Sequence, residues 1–307
     1  MMPTTVTELT IGSRTSELAM WQTHHIRDKL QAAWPDLAVQ IEPFVTKGDK
    51  TLDKPLPQIG GKGLFTLELE EALRDGRIQL AVHSLKDLPV EDADGLTLGA
   101  IIGRADVRDV LIAKNKWTLE TLPEGAVVGT SSLRRQAQLL AARPDLQIQS
   151  IRGNVGTRVR KVLEGNYDAA VLAAAGITRL GLDDHISQWL PLTAMLPAPG
   201  QGALAVQCRA DDSATLRLLQ AIDQPEIRAC VLAERSFLYH LAGGCSTPVA
   251  AYSTHSGSDL YLTGVVGSPD GQILIHLTDS GWDAWKLGKK LAQAALAQGA
   301  QEILAHV

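Results

Sequence analysis

The sequence predicts an α/β protein: two similar doubly wound α/β domains with a cleft between them, followed by a small α+β domain. Three observations predict it. A chain of 307 residues exceeds what one hydrophobic core readily organises, so two or three domains follow. Short apolar runs alternate with helical patterns through the first two thirds, as strands buried on both faces between helices do. The last quarter changes to one helix followed by closely spaced strands. Apolar residues make up 45% of the chain and aromatic residues only 4%, so the cores must be built from Leu, Val, Ile and Ala rather than from rings.

In order along the chain, Leu9–Ile11 reads as a strand, Glu17–Ala33 as a helix and Val39–Val45 as a second strand. A helix over Leu64–Asp75 leads to the apolar strand Ile78–Val82. The same order returns with strand Ala126–Gly129, helix Ser132–Ala142, strand Gln147–Ile151, helix Gly156–Glu164 and strand Ala169–Leu172. Leu196-Pro197-Ala198-Pro199-Gly200-Gln201-Gly202 has the composition of a segment crossing between domains. The tail gives a helix over Glu226–Leu241, strands near Pro248–Tyr252, Leu260–Val266 and Ile273–Leu277, and a closing helix. Ser268-Pro269-Asp270-Gly271 is a turn that should join the last two strands as a hairpin.

Several classes are excluded. The formal charge is −5, from 34 acidic and 29 basic residues, so there is no global basic field for nucleic acid. No run approaches 18 apolar residues, and the start lacks the basic and apolar regions of a secretory signal. Cys208, Cys230 and Cys245 make neither a disulfide framework nor a zinc pattern, and the eight histidines show no metal-ligand spacing. A soluble cytoplasmic protein without a metal is expected. Gly60-Gly61-Lys62-Gly63 fails as a P-loop, and Gly200-Gln201-Gly202 follows prolines rather than a strand, which removes it as a dinucleotide fingerprint.

The two α/β halves share an echo. Ile11-Gly12-Ser13-Arg14-Thr15-Ser16 and Val128-Gly129-Thr130-Ser131-Ser132-Leu133-Arg134-Arg135 both run from a strand through Gly and hydroxyls into a helix. Such a helix start offers free N–H groups to an anion, or simply a hydroxyl cap. Between Gly129 and Lys161 lie Arg134, Arg135, Arg143, Arg152, Arg158, Arg160 and Lys161 against one acid, Asp145. A charge run is commonly a solvated face. These arginines sit at strand-to-helix junctions, where α/β folds bind ligands, and their planar forks suit carboxylate or phosphate. Stacking aromatics are missing, so a small ligand with several negative groups fits better than a nucleic acid.

His83-Ser84-Leu85-Lys86-Asp87-Leu88-Pro89 follows an apolar strand and faces the predicted cleft. Asp87 either caps a turn or holds an N–H donor and stabilises a transient cation. Cys245, in Gly243-Gly244-Cys245-Ser246-Thr247-Pro248, is uncrowded enough to serve as an attachment site or nucleophile, whereas Cys208 and Cys230 read as core residues.

Taken together, Gly12-Ser13-Arg14 with Ser16 and Leu18, Gly60-Gly61-Lys62-Gly63-Leu64-Phe65, His83-Ser84-Leu85-Lys86-Asp87, Gly129-Thr130-Ser131-Ser132-Leu133-Arg134-Arg135, Arg152-Gly153-Asn154-Val155-Gly156-Thr157-Arg158, Pro199-Gly200-Gln201-Gly202 and Gly243-Gly244-Cys245 resemble the porphobilinogen deaminase (hydroxymethylbilane synthase) family from end to end. The resemblance implies a transferase of tetrapyrrole and haem biosynthesis. It joins four porphobilinogen units head to tail onto a dipyrromethane cofactor, with loss of ammonia at each addition, and releases hydroxymethylbilane. The cofactor would be held through a thioether by Cys245. Catalytic roles are implied for Asp87, Lys86, Arg14 and Arg179. Cofactor binding is implied for Lys62, Ser84, Asp87, Ser132, Arg134, Arg135, Arg152 and Arg158, and substrate binding for Arg14, Ser16, Arg152, Arg158 and Arg179. The pyrroles carry acetate and propionate groups, which accounts for arginines concentrated in a protein of negative net charge. One departure is visible: Gln58 stands where the family often has a lysine, which lowers the positive charge implied for the mobile loop Lys47–Gly61.

The implied division is residues 1–103 with 198–222, residues 104–197, and residues 223–307, in a monomer. The paired α/β architecture is periplasmic-binding-protein-like, so a two-domain receptor for a small carboxylate is the competing reading. The third domain, Cys245 and the lack of a secretory signal favour the enzyme. An RNA-binding module would need basic and aromatic residues interleaved, and they are not.

Overall fold

The computed structural model describes residues 6–50, 66–242 and 247–305. Strand β1 (Glu8–Arg14) runs into helix α1 (Glu17–Ala33), followed by β2 (Ala38–Phe44), the short α2 (Lys47–Lys50), α3 (Leu67–Arg74) and β3 (Leu80–Ser84). A single tight helical turn, Leu85–Asp87, closes β3, and β4 (Leu96–Arg104) and β5 (Asp109–Ala113) come next. The second α/β run is β6 (Val127–Gly129), α4 (Leu133–Ala142), β7 (Gln147–Gln149), α5 (Val155–Leu163), β8 (Ala169–Ala173), α6 (Ala174–Arg179), β9 (Ile186–Trp189) and β10 (Ala203–Arg209). Helices α7 (Ser213–Gln220) and α8 (Pro225–His240) lead to β11 (Val249–Ser256), β12 (Asp259–Gly267), β13 (Leu274–Gly281), α9 (Ala284–Ala297) and α10 (Ala300–Ala305).

The chain divides into two compact units. The first is Met1–Asp53, Gly61–Arg104 and Ala203–Arg228; the second is Lys54–Gly60, Ala105–Gly202 and Ala229–Val307. The first holds a sheet in the order β2-β1-β3-β10-β4, with β2, β1 and β3 parallel and β10 antiparallel to both its neighbours. The period of two sends Leu9, Ile11, Leu80 and Val82 to one face, where Ile26 and Leu30 of α1 cover them. Ala81 faces the other way and meets Leu69, Ala72 and Leu73 of α3. Helices therefore cover both faces.

The second unit repeats that plan in the order β7-β6-β8-β5-β9, with β7, β6 and β8 parallel and β5 antiparallel to both neighbours. Helix α4 brings Leu139 onto Val128, Ala169 and Val171, while α5 brings Val159 and Val162 onto Ala170 and Leu172 from the opposite side. The two α/β domains thus have the same strand order and pairing senses, and the sequence echo falls at equivalent strands, β1 and β6.

The second unit also contains the small α+β domain, an antiparallel sheet β11-β12-β13 backed by α8 and α9. Gly288 lets α9 close on α8: a Cβ there would stand 2.4 Å from the Ala233 carbonyl oxygen. The expected hairpin turn is present, with the Gly271 N–H donating to Ser268 O at 2.8 Å and Gly271 at φ +73°. The elements expected from the sequence are present with ends shifted by a few residues; Leu64 and Phe65 of the expected helix lie outside the described residues. Strands β4, β5 and β9 are additional.

Candidate active site

In the first unit, β1 and β3 are adjacent and parallel, so their carboxyl ends share one edge of the sheet. The chain winds from β1 to β2 on one side and from β2 past β1 to β3 on the other. That reversal makes a switch point, where α/β sheets bind ligands. Arg14 ends β1, and Ser84, Lys86 and Asp87 end β3 and fill the turn after it. Asp87 is exposed, and Arg14, Ser84 and Lys86 are half-buried. Ser84 Oγ accepts from Gln22 Nε2 at 2.8 Å, and Ser16 Oγ caps α1 by accepting from the Ala19 N–H at 3.4 Å.

Sequence reasoning quoted His83 without giving it a role. It is buried on the α3 side of β3, and its Nε2 has no hydrogen-bond partner. Burial, reinforced by the positive charge of Arg14, lowers its pKa to about 4, so the ring is neutral at physiological pH. The Gln207 amide opposes part of that shift, although Gln207 Oε1 and His83 Nε2 stand outside hydrogen-bond geometry.

In the second unit the matching edge is the carboxyl end of β6, β7 and β8. Ser132 occupies the cap position of α4, but its hydroxyl makes no cap hydrogen bond and the first turn holds no acid. Ser131 Oγ lies 2.8 Å from Ser150 Oγ and donates to Ile151 O at 2.9 Å. At the start of α5, Asn154 caps the Thr157 N–H at 2.8 Å, and Gly153 takes φ +114°, which favours glycine. Arg158 Nε donates to Gly153 O at 2.8 Å, and Lys161 Nζ donates to Arg152 O at 3.1 Å. Arg152, Arg158 and Lys161 are half-buried around this one turn. Arg179 Nη2 donates to Gly202 O at 2.7 Å, and burial pulls its guanidinium down to about 10.

Arg134 and Arg135 are placed differently from a surface cluster. Both are buried on Asp109, which is itself fully buried. Arg134 Nη1 lies 2.9 Å from Asp109 Oδ2 and donates to Leu196 O at 2.5 Å. Arg135 donates through Nη2 to Asp109 Oδ1 at 2.8 Å, through Nε to Oδ2 at 3.1 Å and through Nη1 to Val171 O at 2.9 Å. Gln201 Nε2 adds a bond to Asp109 Oδ1 at 2.9 Å. Burial lowers the Arg134 pKa, against the pull of Asp109 and with repulsion from Arg135. Asp109 was missed because it opens the apolar run Val110-Leu111-Ile112, outside the arginine window. An acid set in such a run was the available signal, since a buried carboxylate needs a cation.

Lys62, Gln58 and Cys245 lie outside the described residues, as does most of the loop 47–61. Cys208 and Cys230 are buried, and burial pushes the Cys208 thiol up to about 11, away from the thiolate that a reactive cysteine needs. Among the described residues no group of three His, Cys, Asp or Glu side chains could hold a metal, and no helix is long and apolar enough to cross a membrane.

Comparison with known proteins bears on this arrangement directly. Residues 9–217 match the family model described as porphobilinogen deaminase, dipyromethane cofactor binding domain, and residues 228–297 match porphobilinogen deaminase, C-terminal domain. The porphobilinogen deaminase of Brevibacillus brevis is 52% identical over 298 residues, covering 97% of this chain and 96% of that protein. That of Roseiflexus castenholzii is 51% identical over 298 residues, covering 97% and 98%. Among solved structures, a TRAP periplasmic solute binding protein from Desulfovibrio salexigens is 9% identical, covers 72% of this chain and 73% of its own, and has a TM-score of 0.42. Full-length sequence identity, with both family models matched in order, decides the assignment. The chain belongs to the porphobilinogen deaminase family.

Proposed function

We propose that the chain carries out the reaction of its family: deamination of porphobilinogen and head-to-tail joining of four units onto a covalently held dipyrromethane, with release of hydroxymethylbilane. The observation that carries this reading is an acceptor carboxylate, Asp87, and a cation, Arg14, at the same carboxyl edge of two adjacent parallel strands, at a switch point. The substrate has two carboxylates, a pyrrole N–H and an aminomethyl group. Arg14 and Arg179, with Ser16, pair with its acetate and propionate, which fixes the ring. Asp87 accepts the pyrrole N–H. The aminomethyl group leaves from its protonated, ammonium form: the C–N bond breaks with its electron pair going to departing ammonia, positive charge spreads over the ring, and the carboxylate at the N–H stabilises it. Lys86 steadies a carboxylate on the same turn.

The residues present fit the cofactor. Arg152, Arg158 and Lys161 crowd one turn, and the start of α4 has no side-chain cap or acid; together they make a cradle for several carboxylates. When bound, the dipyrromethane supplies the pyrrole carbon from which the product chain grows. Arg152, Arg158, Ser132 and Lys62 would hold its side chains, Ser84 and Asp87 its ring edge, and Cys245 its thioether. Arg134 and Arg135 serve the same cradle by anchoring α4 to Asp109. The reading includes three domains divided as the sequence implies, a monomer, and a cytoplasmic site of action.

The test is turnover in Asp87→Asn. One electrostatic contact of this kind supplies about 3–4 kcal/mol at a transition state, so porphobilinogen consumption should fall by about two to three orders of magnitude while cofactor loading, read by Ehrlich's reagent, is kept. Near-normal turnover with full loading would remove Asp87 from the mechanism.

A further inference from the structure

Helix α1 buries a stripe that changes character along its length. Gln22, Ile26 and Leu30 follow one another at four-residue spacing on one face, with Thr23 beside them, and these four are its buried residues. Ile26 and Leu30 meet Leu9, Ile11, Leu80 and Val82 of β1 and β3, as a helix packed on a sheet does. Gln22 is only 3% exposed and Thr23 is fully buried, one turn nearer the helix start, where the chain has just left the carboxyl end of β1. A buried polar group costs free energy unless it is hydrogen-bonded, so the partners of this pair show what it is for.

Both side chains serve strand ends that carry site residues. Thr23 Oγ1 donates to Ser13 Oγ at 2.8 Å, and Ser13 Oγ donates to the carbonyl oxygen of Arg14 at 3.0 Å. Gln22 Nε2 donates to Ser84 Oγ at 2.8 Å, and among the described residues that is the one hydrogen bond of the Ser84 side chain. A serine hydroxyl has one hydrogen and two lone pairs, and the amide nitrogen of glutamine donates but does not accept. Gln22 therefore occupies a lone pair of Ser84 Oγ, and the Ser84 hydrogen cannot turn towards it. The pleat puts Ser84 on the α1 side with Leu80 and Val82, at the strand end that Lys86 and Asp87 follow.

We infer that Gln22 is a positioning residue: by donating its amide N–H into Ser84 Oγ, it commits the Ser84 hydroxyl to act as a donor towards a carboxylate on the ring edge of the dipyrromethane. The inference rests on the function proposed above, in which Ser84 meets that group. A carboxylate accepting from a hydroxyl held in this way gains a charge-assisted hydrogen bond. The pyrrole N–H, which needs an acceptor, is left to Asp87, so the two residues at this strand end divide the ring edge between them.

The test is a double-variant cycle in the full-length holoenzyme, with Ehrlich colour per chain read for loading, and kcat and KM for porphobilinogen read per loaded chain. Gln22→Glu keeps the size of the side chain but turns the donor into an acceptor, which draws the Ser84 hydrogen to itself. Its kcat should fall about tenfold or more, the scale of one charge-assisted hydrogen bond, with KM kept because Arg14, Ser16 and Arg179 are untouched. Gln22→Met removes the donor and leaves the hydroxyl free to turn, so kcat should fall only about threefold. In a Ser84→Ala background, itself about tenfold down, neither change should lower kcat further. Should the new charge prevent folding, as melting curves would show, the Gln22→Met half of the cycle decides alone. The inference is overturned if the losses persist in Ser84→Ala, if Gln22→Met is impaired as much as Gln22→Glu, or if Ser84→Ala or the Gln22 variants turn over as the wild type does. A wild type without dipyrromethane would refute the function itself, and this inference with it.

Discussion

Replacing Asp109 by Asn exchanges one oxygen for one nitrogen and alters the second unit far more than its size suggests. The carboxylate is the shared partner of Arg134 and Arg135, at 2.9 and 2.8 Å, and all three groups are nearly or fully buried. An Asn oxygen can still accept one of those donors, but it removes the charge that holds two guanidinium groups side by side away from water. Breaking a buried pair from one side costs about 3–5 kcal/mol, because the partner's charge is left uncompensated. For a unit of this size that corresponds to a fall in Tm of about 6–20 °C. Calorimetry on the wild type and Asp109→Asn measures it. The double variant Asp109→Asn with Arg134→Met tests the cause, since it removes one of the stranded charges and should recover part of the loss. A single variant within about 1 kcal/mol of wild type, or a double variant no more stable than the single, would refute the reasoning.

Two further outcomes follow from the site. His83 is held neutral with a folded-state pKa of about 4 against 6.5 when unfolded, so its contribution is complete above pH 6.5 and is lost as the pH falls towards 4. Across that window the wild type should lose up to about 3 kcal/mol more than His83→Gln; parallel denaturation curves for the two would contradict it. Arg152→Leu and Arg158→Leu should each reduce cofactor loading or stall elongation, while Arg14→Leu and Arg179→Leu should load normally and turn over slowly. Mass spectra with limiting porphobilinogen distinguish these, and identical stalling in all four would end the division of labour.

Much of the α/β plan was legible because its signal is local. Helix α1 begins and ends where Ser16 and the apolar spacing place it, β3 opens on the apolar Leu80-Ala81-Val82, and β8 is apolar throughout. The echo at β1 and β6 could be read because both strands meet a helix through Gly and hydroxyls. Strands β4, β5 and β9 were less visible, since each is held by antiparallel pairing to a strand distant in sequence (β4 to β10, β5 to β8 and β9 to β5) rather than by its own pattern. The site divides in the same way. Asp87, Lys86, Arg14, Arg152 and Arg158 could be named because strand ends and helix starts are marked in the sequence. The burial of Arg134 and Arg135 could not, because Asp109 lies 25 residues before Arg134 and reaches it only through the fold. His83 was passed over for a similar reason: its burial depends on α3 and β10, not on its neighbours.

The central claim is that this chain carries a covalent dipyrromethane on Cys245, and the intact mass of the purified protein tests it most directly. The wild type should exceed the mass of its sequence by one dipyrrole, and the excess should persist in Cys208→Ser and Cys230→Ser and vanish in Cys245→Ser. An unmodified wild-type mass, or an excess retained in Cys245→Ser, would contradict the account.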